Sequence, residues 1–265
     1  MFKEVKKYPA FVFEYLKANL AMEMEYRGAF IARMFGMIVN DAMWLTFWIL
    51  YFTRFPVVQG WGKNDIITLW GICALGYGLG HGVFGNALNL ATTIQSGNLD
   101  FYLVYPKNVL LHAICSRINS TAMGDVVFGP LVYVILVGPS LASTGVFLIS
   151  GVLVAMIFVG FSVLAGSLAF FIGNSEGIAG QMANSLIHFS TYPSAIFHGG
   201  IKVVLFTVVP AGFINSIPVK VIRDFDPPFF AALIVAAFGF VWAGNRLFKA
   251  GLKRYESGNL VQVRT

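Results

Sequence analysis

Six apolar segments, each about 20 residues or longer, restrict the fold of this chain more than any other feature. A helix needs about 20 apolar residues to cross the roughly 30 Å hydrocarbon layer of a membrane. Only 11% of the residues are charged, whereas a soluble domain carries roughly a quarter. We therefore predict an all-α, polytopic integral membrane protein with six transmembrane helices in a single domain over residues 31–247. The predicted spans cover about 31–52, 66–90, 109–138, 146–172, 176–197 and 228–247.

Two other apolar segments are not expected to cross the membrane. Within residues 1–30, apolar residues recur at helical spacing while charged residues take other faces, which predicts an amphipathic helix on the membrane surface. These apolar residues are Phe13, Leu16, Leu20 and Met24. Residues 201–222 are divided by Pro210, Gly212 and Pro218 into pieces too short to span. They predict a re-entrant or outer helical pair that packs against its neighbours. Backbone N–H and C=O groups without hydrogen-bond partners are not tolerated in contact with lipid.

The basic residues predict the orientation of the chain. Cytoplasmic loops are enriched in Lys and Arg. In the six-span arrangement, five of the 18 Lys and Arg residues lie outside and the other 13 inside if both termini are cytoplasmic. The outer five are Arg54, Lys63, Lys202, Lys220 and Arg223. This distribution places loop 91–108 and the basic tail 248–265 in the cytoplasm, and it explains the net charge without a nucleic-acid partner.

Two acidic residues fall inside predicted spans, Asp41 in the first and Asp125 in the third. A carboxylate at the bilayer centre costs about 2.5 to 3.5 kcal/mol, so each should face protein or water. Each residue either lines a substrate or proton path or is a hydrogen-bonded acid that fixes helix packing. Packing is favoured, because no second acid or His shares an obvious face with either residue. Asn86 and Arg117 are further polar residues of the path or of the packing.

The second span carries a series of glycines, which predicts close helix packing, with local flexibility as the alternative. They are Gly71, Gly76, Gly78, Gly80 and Gly82.

No phosphate-binding loop of the G-x-x-x-x-G-K-[ST] type occurs, so the chain is not expected to hydrolyse ATP or to be an enzyme. The four histidines are scattered over different segments, so we expect neither a metal site nor a bound cofactor.

Several stretches resemble the membrane subunit of the ABC type-2 permease family, in particular its six-span bacterial branch of largely uncharacterised substrate. They are the amphipathic entry helix, the loop Ile94-Gln95-Ser96-Gly97-Asn98-Leu99-Asp100 with Tyr105-Pro106, the broken segment around Phe206 to Pro218, and the tail from Gly251 to Gly258. The resemblance implies an exporter of the inner membrane in which two permeases, identical or homologous, pair within the lipid. It also implies that loop 91–108 acts as a coupling helix on a cytoplasmic ATPase, which binds the ATP and Mg.

The resemblance assigns two sets of residues. Contacts with the ATPase fall on Ser96, Asn98, Leu99, Asp100, Phe101, Tyr102 and Lys107. An outer lid falls on Phe206, Pro210, Phe213 and Pro218. Burial at the bilayer surface is an alternative for Tyr102 and Tyr105.

A different class of function stays open, an ion- or proton-coupled secondary transporter that uses Asp41 and Asp125. An intramembrane enzyme is less favoured, because the histidines and acids form no recognisable pair of nucleophile and base. The substrate cannot be read from the sequence.

Overall fold

A computed structural model describes residues 7–106, 108–173 and 175–255, and these residues are nearly all helical. The helices are α1 (Lys7–Glu25), α2 (Arg27–Arg54), α3 (Lys63–Val83), α4 (Leu90–Gln95), α5 (Asp100–Leu103), α6 (Val109–Cys115), α7 (Ala122–Val132), α8 (Leu141–Ser167), α9 (Glu176–Ser190), α10 (Gly200–Thr207), α11 (Ala211–Ile214), α12 (Ser216–Arg223) and α13 (Pro227–Leu252). Short 3-10 turns cover Gly85–Asn89, Leu168–Phe170 and Ser194–Ile196, and a π-helical turn, Tyr133–Val137, extends α7.

Four of these helices are long and apolar enough to cross a membrane: α2, α3, α8 with the turn that follows it, and α13. The number of possible spans rises to five if the bent pair of α10 and α11–α12 is counted as one span. In the most apolar part of α3, 83% of the residues are buried, whereas only 22% are buried in the corresponding parts of α2 and of α13. Helix α3 is therefore the centre of the bundle, and α2 and α13 present apolar faces outward.

Glycines allow the backbones of the central helices to approach closely. A Cβ atom on Gly78 of α3 would lie 2.6 Å from the backbone nitrogen of Val126 in α7, and one on Gly76 would meet Val154 of α8 at 2.3 Å. Such distances are shorter than van der Waals contact, so no larger residue fits without a shift. The predicted packing role of these glycines is confirmed.

The third predicted span, 109–138, is not one helix. Helix α6 ends at Cys115, residues 116–121 are irregular, and α7 begins at Ala122, where the side chain of Asn119 accepts hydrogen bonds from the backbone N–H groups of Thr121 and Ala122. The second span also ends early, at Val83 rather than near residue 90.

These two interruptions lie side by side and satisfy each other's backbone groups. The Asn86 N–H donates to the Arg117 carbonyl at 3.2 Å, and the Asn119 N–H donates to the His81 carbonyl at 3.1 Å. Gly85 is required at this crossing, because a Cβ atom there would lie 2.4 Å from the backbone nitrogen of Asn119. Non-helical backbone is thus covered by protein, as lipid requires.

The fifth predicted span, 176–197, is shorter than expected. Helix α9 stops at Ser190, because Pro193 disfavours helical backbone in the residue before it. The predicted break in 201–222 is present: α10 and α11–α12 meet at 68°, with Pro210 between them. The chain also forms a hairpin of β1 (Val57–Val58) and β2 (Trp61–Gly62), whose turn residues Gln59 and Gly60 both have positive φ.

Candidate functional site

A polar cleft of about 400 Å³ lies beyond the C-terminal end of α3. It brings the predicted loop residues Asn98, Phe101 and Tyr102 together with Asn86 and Arg117, which the sequence placed in separate predicted spans or loops. The cleft forms because the two interrupted spans place Asn86 and Arg117 next to each other.

The residues of the cleft divide into supporting and exposed side chains. Asn86 is buried, and its Nδ2 donates to the Ala113 carbonyl at 2.9 Å, so it holds the two interruptions together. Arg117 is exposed, and within the described part of the chain no carboxylate lies within 4 Å of its guanidinium group. Phe101 on α5 is 70% exposed. An unpaired cation and an exposed aromatic ring therefore flank one polar cleft.

Leu99 was predicted to contact a partner, and the structure places its side chain inside the chain instead of on the surface. Its side chain is fully buried in a core shared with Ile94, Leu110 and Phe248. Two residues before Leu99 the chain turns at Gly97, whose positive φ favours glycine. Ser96 is exposed and Asp100 half-buried, and the two remain predicted contact residues; Lys107 lies outside the described residues.

Helix α1 contacts the segment after this loop. The Tyr15 hydroxyl lies 2.8 Å from Nδ1 of His112, and the ring of Tyr105 stacks on His112 with 4.9 Å between centroids. The Asn19 side chain donates to the Cys115 carbonyl at 2.8 Å, at the point where α6 ends. Sequence reasoning missed His112, because a single His in an apolar segment gives no signal of its partners.

Burial, with a further contribution from Tyr105 and Tyr102, raises the pKa of the Tyr15 hydroxyl above its ordinary value. The phenol therefore keeps its proton at neutral pH and can act as the donor to His112. Tyr105 is 49% exposed. It packs on protein through one face of its ring and leaves the rest of its surface outside.

The two acids of the predicted spans, considered separately in the sequence, lie together in the structure. Asp41 of α2 and Asp125 of α7 line one cavity, and their carboxyl groups interact. Arg33 does not join them; it pairs with Glu23 at 2.7 Å. The sequence could not show that these acids are neighbours, because they lie on helices far apart in the chain.

The broken segment of residues 200–223 lies at the opposite end of α3. Arg223 at the end of α12 forms an ion pair with Asp65 in the first turn of α3, with 3.3 Å between Nη1 and Oδ2. The predicted lid residues Phe206 and Phe213 form an edge-to-face ring pair, and Pro210 and Pro218 are buried. At about 1.5 Å per residue the 21-residue α3 separates this segment from the polar cleft by about 30 Å.

A family model described as ABC-2 family transporter protein matches residues 38–258. No curated protein matches the chain, and no solved structure does. The family match includes the polar cleft, the acid pair and the broken segment.

Proposed function

The chain belongs to the ABC-2 transporter family, and from that membership we propose that it is the permease subunit of an ATP-binding-cassette exporter. A separate cytoplasmic ATPase would bind and hydrolyse the ATP with its Mg ion, and this chain would bind no cofactor. The chain lies within the membrane, and we propose that it is the inner membrane, with both termini in the cytoplasm.

The polar cleft carries the proposal. Arg117 and Phe101 are exposed beside it, and Arg and aromatic side chains are the types enriched at the centre of protein interfaces. Arg117 would pair with a carboxylate of the ATPase, and Phe101 would enter an apolar pocket on it. The predicted coupling residues Ser96, Asn98, Asp100, Tyr102 and Lys107 would complete this contact.

Leu99 takes a different part in this proposal. It anchors the loop in a core that includes residues of α6 and α13. Force applied to Phe101 would pass through Leu99 to these helices, because a close-packed core transmits strain. Leu99 would therefore couple the loop to the bundle without touching the ATPase.

A second permease, identical or homologous, would complete the transport path. Helix α2 exposes several large apolar side chains, among them Phe35, Met43 and Phe47. We assign part of this face to the second permease and the rest to lipid. The outer broken segment would close the far end of the path, with Phe206, Pro210, Phe213 and Pro218 in the lid.

The alternative is a secondary transporter driven by an ion or proton gradient, and the Asp41–Asp125 pair is the observation that favours it. The two functions differ in their source of energy. Transport by the exporter stops when ATP is removed, whereas secondary transport continues for as long as the gradient lasts.

The test purifies the full chain in mild detergent from its native membranes. We expect an ATP-hydrolysing subunit to copurify, and we expect Phe101→Ala or Arg117→Ala to reduce the recovered ATPase activity at least tenfold. Phe225→Ala is the matched control, because Phe225 is 60% exposed near the outer broken segment. Absence of ATPase activity from the wild-type preparation would overturn the exporter, and gradient-driven uptake without ATP would establish the alternative.

A further inference from the structure

A cavity of about 140 Å³ lies midway along α3, between the polar cleft and the outer broken segment. Cys73, near the middle of α3, forms part of its wall, and Asp41 and Asp125 reach it from α2 and α7. The half-buried residues Met37 and Ile187 place its rim between α2 and α9.

The carboxyl groups in this cavity are buried without a compensating cation. Asp125 is 1% exposed and Asp41 is 5% exposed. The two carboxyl groups interact with each other, and Asp41 also interacts with the Asn40 side chain; within the described part of the chain no other group reaches Oδ2 of Asp41 or the carboxyl oxygens of Asp125. The titratable groups nearest to them are the Cys73 thiol and the Tyr77 hydroxyl, and the Asn40 amide lies beside Asp41. No Lys, Arg or His is among the described residues that line the cavity.

The cavity wall also contains three aromatic side chains, one of which carries an unused donor. Trp70, Tyr77 and Phe158 line it. Nε1 of Trp70 is buried and has no hydrogen-bond partner among the described residues. Buried polar groups without partners are rare in proteins, and each one requires an explanation. Here the carboxyl pair, with no cation among the described lining residues, and the unused donor of Trp70 surround one space.

We propose that this cavity binds a small organic ammonium group that also carries a hydrogen-bond acceptor. The positive charge would lie against Asp41 and Asp125, its alkyl substituents against the rings of Tyr77 and Phe158, and the acceptor atom would receive a hydrogen bond from Trp70. Aromatic faces attract such cations, and the attraction is strongest where water is excluded. The ligand would offset the cost of holding two carboxyl groups within the membrane.

The lining favours an organic cation over a metal ion. Hard metal cations such as Ca²⁺ take about six to eight oxygen ligands, and the described residues contain no group of three His, Cys, Asp or Glu side chains that could hold a metal. The size limits the ligand as well. A cavity of about 150 Å³ holds a benzene molecule, so this one takes an ammonium head group but not a whole lipid or peptide.

The placement of this cavity on a transport path rests on the proposed function, whereas the binding of a cation does not. The probe is choline, a permanent ammonium with a hydroxyl group, compared with its uncharged isostere 3,3-dimethyl-1-butanol. Binding is measured by calorimetry on the full chain purified in detergent without any ATPase. We expect wild-type protein to bind choline at least tenfold more tightly than the alcohol.

Three variants assign the binding to the cavity. Asp41→Asn combined with Asp125→Asn should weaken choline binding at least tenfold, and Trp70→Phe should weaken it about threefold. Asp224→Asn is the matched control, because this acid lies at the outer end of α12 with its side chain 78% exposed, and it should leave binding unchanged. Equal affinity for choline and the alcohol in the wild type would overturn the proposal even if a variant fails to fold. So would unchanged choline binding in the folded double variant.

The failures of the two proposals can be told apart. If choline does not bind while an ATPase still copurifies, the cation site is overturned and the exporter stands. If choline binds to the chain but no ATPase activity is recovered from native membranes, the exporter is overturned and the cation site stands.

Discussion

The Tyr15 hydroxyl and Nδ1 of His112 lie 2.8 Å apart, and this hydrogen bond joins helix α1 to helix α6. Phe11 packs edge-on against the same imidazole ring, with 4.7 Å between centroids, and Tyr105 of the loop stacks on it. Because one His contacts both α1 and the loop, a displacement of either element should shift the other.

Replacing Tyr15 by Phe tests this connection. The ring stays, but the hydrogen bond is lost at a cost of about 0.5 to 1.5 kcal/mol. We expect amide hydrogen exchange over residues 96–106 to become faster in the purified chain. Tyr26→Phe is the control, because Tyr26 is 70% exposed at the end of α1 and its hydroxyl makes no hydrogen bond within the described residues. Unchanged exchange in Tyr15→Phe would show that the hydrogen bond does not hold the loop.

Two apolar residues of the same loop should differ sharply in their effect on stability. Leu99→Ala removes a fully buried side chain, and such truncations cost about 2 to 5 kcal/mol. Val104→Ala removes an apolar side chain that is 80% exposed, so it should cost less than about 0.5 kcal/mol. Thermal unfolding in detergent separates the two. Equal melting temperatures for the two variants would contradict the core position of Leu99.

The long apolar helices were predictable from hydropathy alone. The predicted first span, 31–52, corresponds to Arg27–Arg54, and the predicted last span, 228–247, to Pro227–Leu252. These helices satisfy their own backbone hydrogen bonds, so local sequence is enough to define them. The interruptions after Val83 and Cys115 were not predictable, because each depends on backbone partners in the other.

In the candidate sites, too, single residues were predictable from the sequence, whereas their neighbours in the fold were not. Phe101 could be selected as an aromatic residue of a predicted loop and Arg117 as a polar residue of a predicted span, but only the fold places them beside one cleft. Asp41 and Asp125 were identified one at a time because an acid in an apolar segment is conspicuous. Their pairing was missed, because the periodicity of one helix does not indicate which residue of another helix lies beside it.

The packing of α8 against α13 depends on a pair of glycines. A Cβ atom on Gly244 would lie 2.7 Å from the carbonyl oxygen of Gly160. Gly244→Ala should therefore destabilise the chain by about 1 to 3 kcal/mol through overpacking. Gly239→Ala on the same helix meets nothing within 4 Å and should leave the melting temperature unchanged or slightly higher, because Ala favours helix. Similar losses in both variants would indicate a general effect of replacing glycine in α13.

Asn215 connects the broken segment to the end of α9, and its replacement should loosen both. Its buried Nδ2 donates to the carbonyl groups of Phe189, at 3.1 Å, and Tyr192, at 2.8 Å, which lie where Pro193 ends the helical pattern. Asn215→Leu keeps the volume but leaves these acceptors without their donor, at about 1 to 3 kcal/mol. We expect a lower melting temperature and faster proteolysis between α9 and α12, neither of which should occur with the exposed control Asn64→Leu. If Asn215→Leu is as stable as the wild type, another donor must reach these carbonyl groups, and Asn215 does not hold the segment in place.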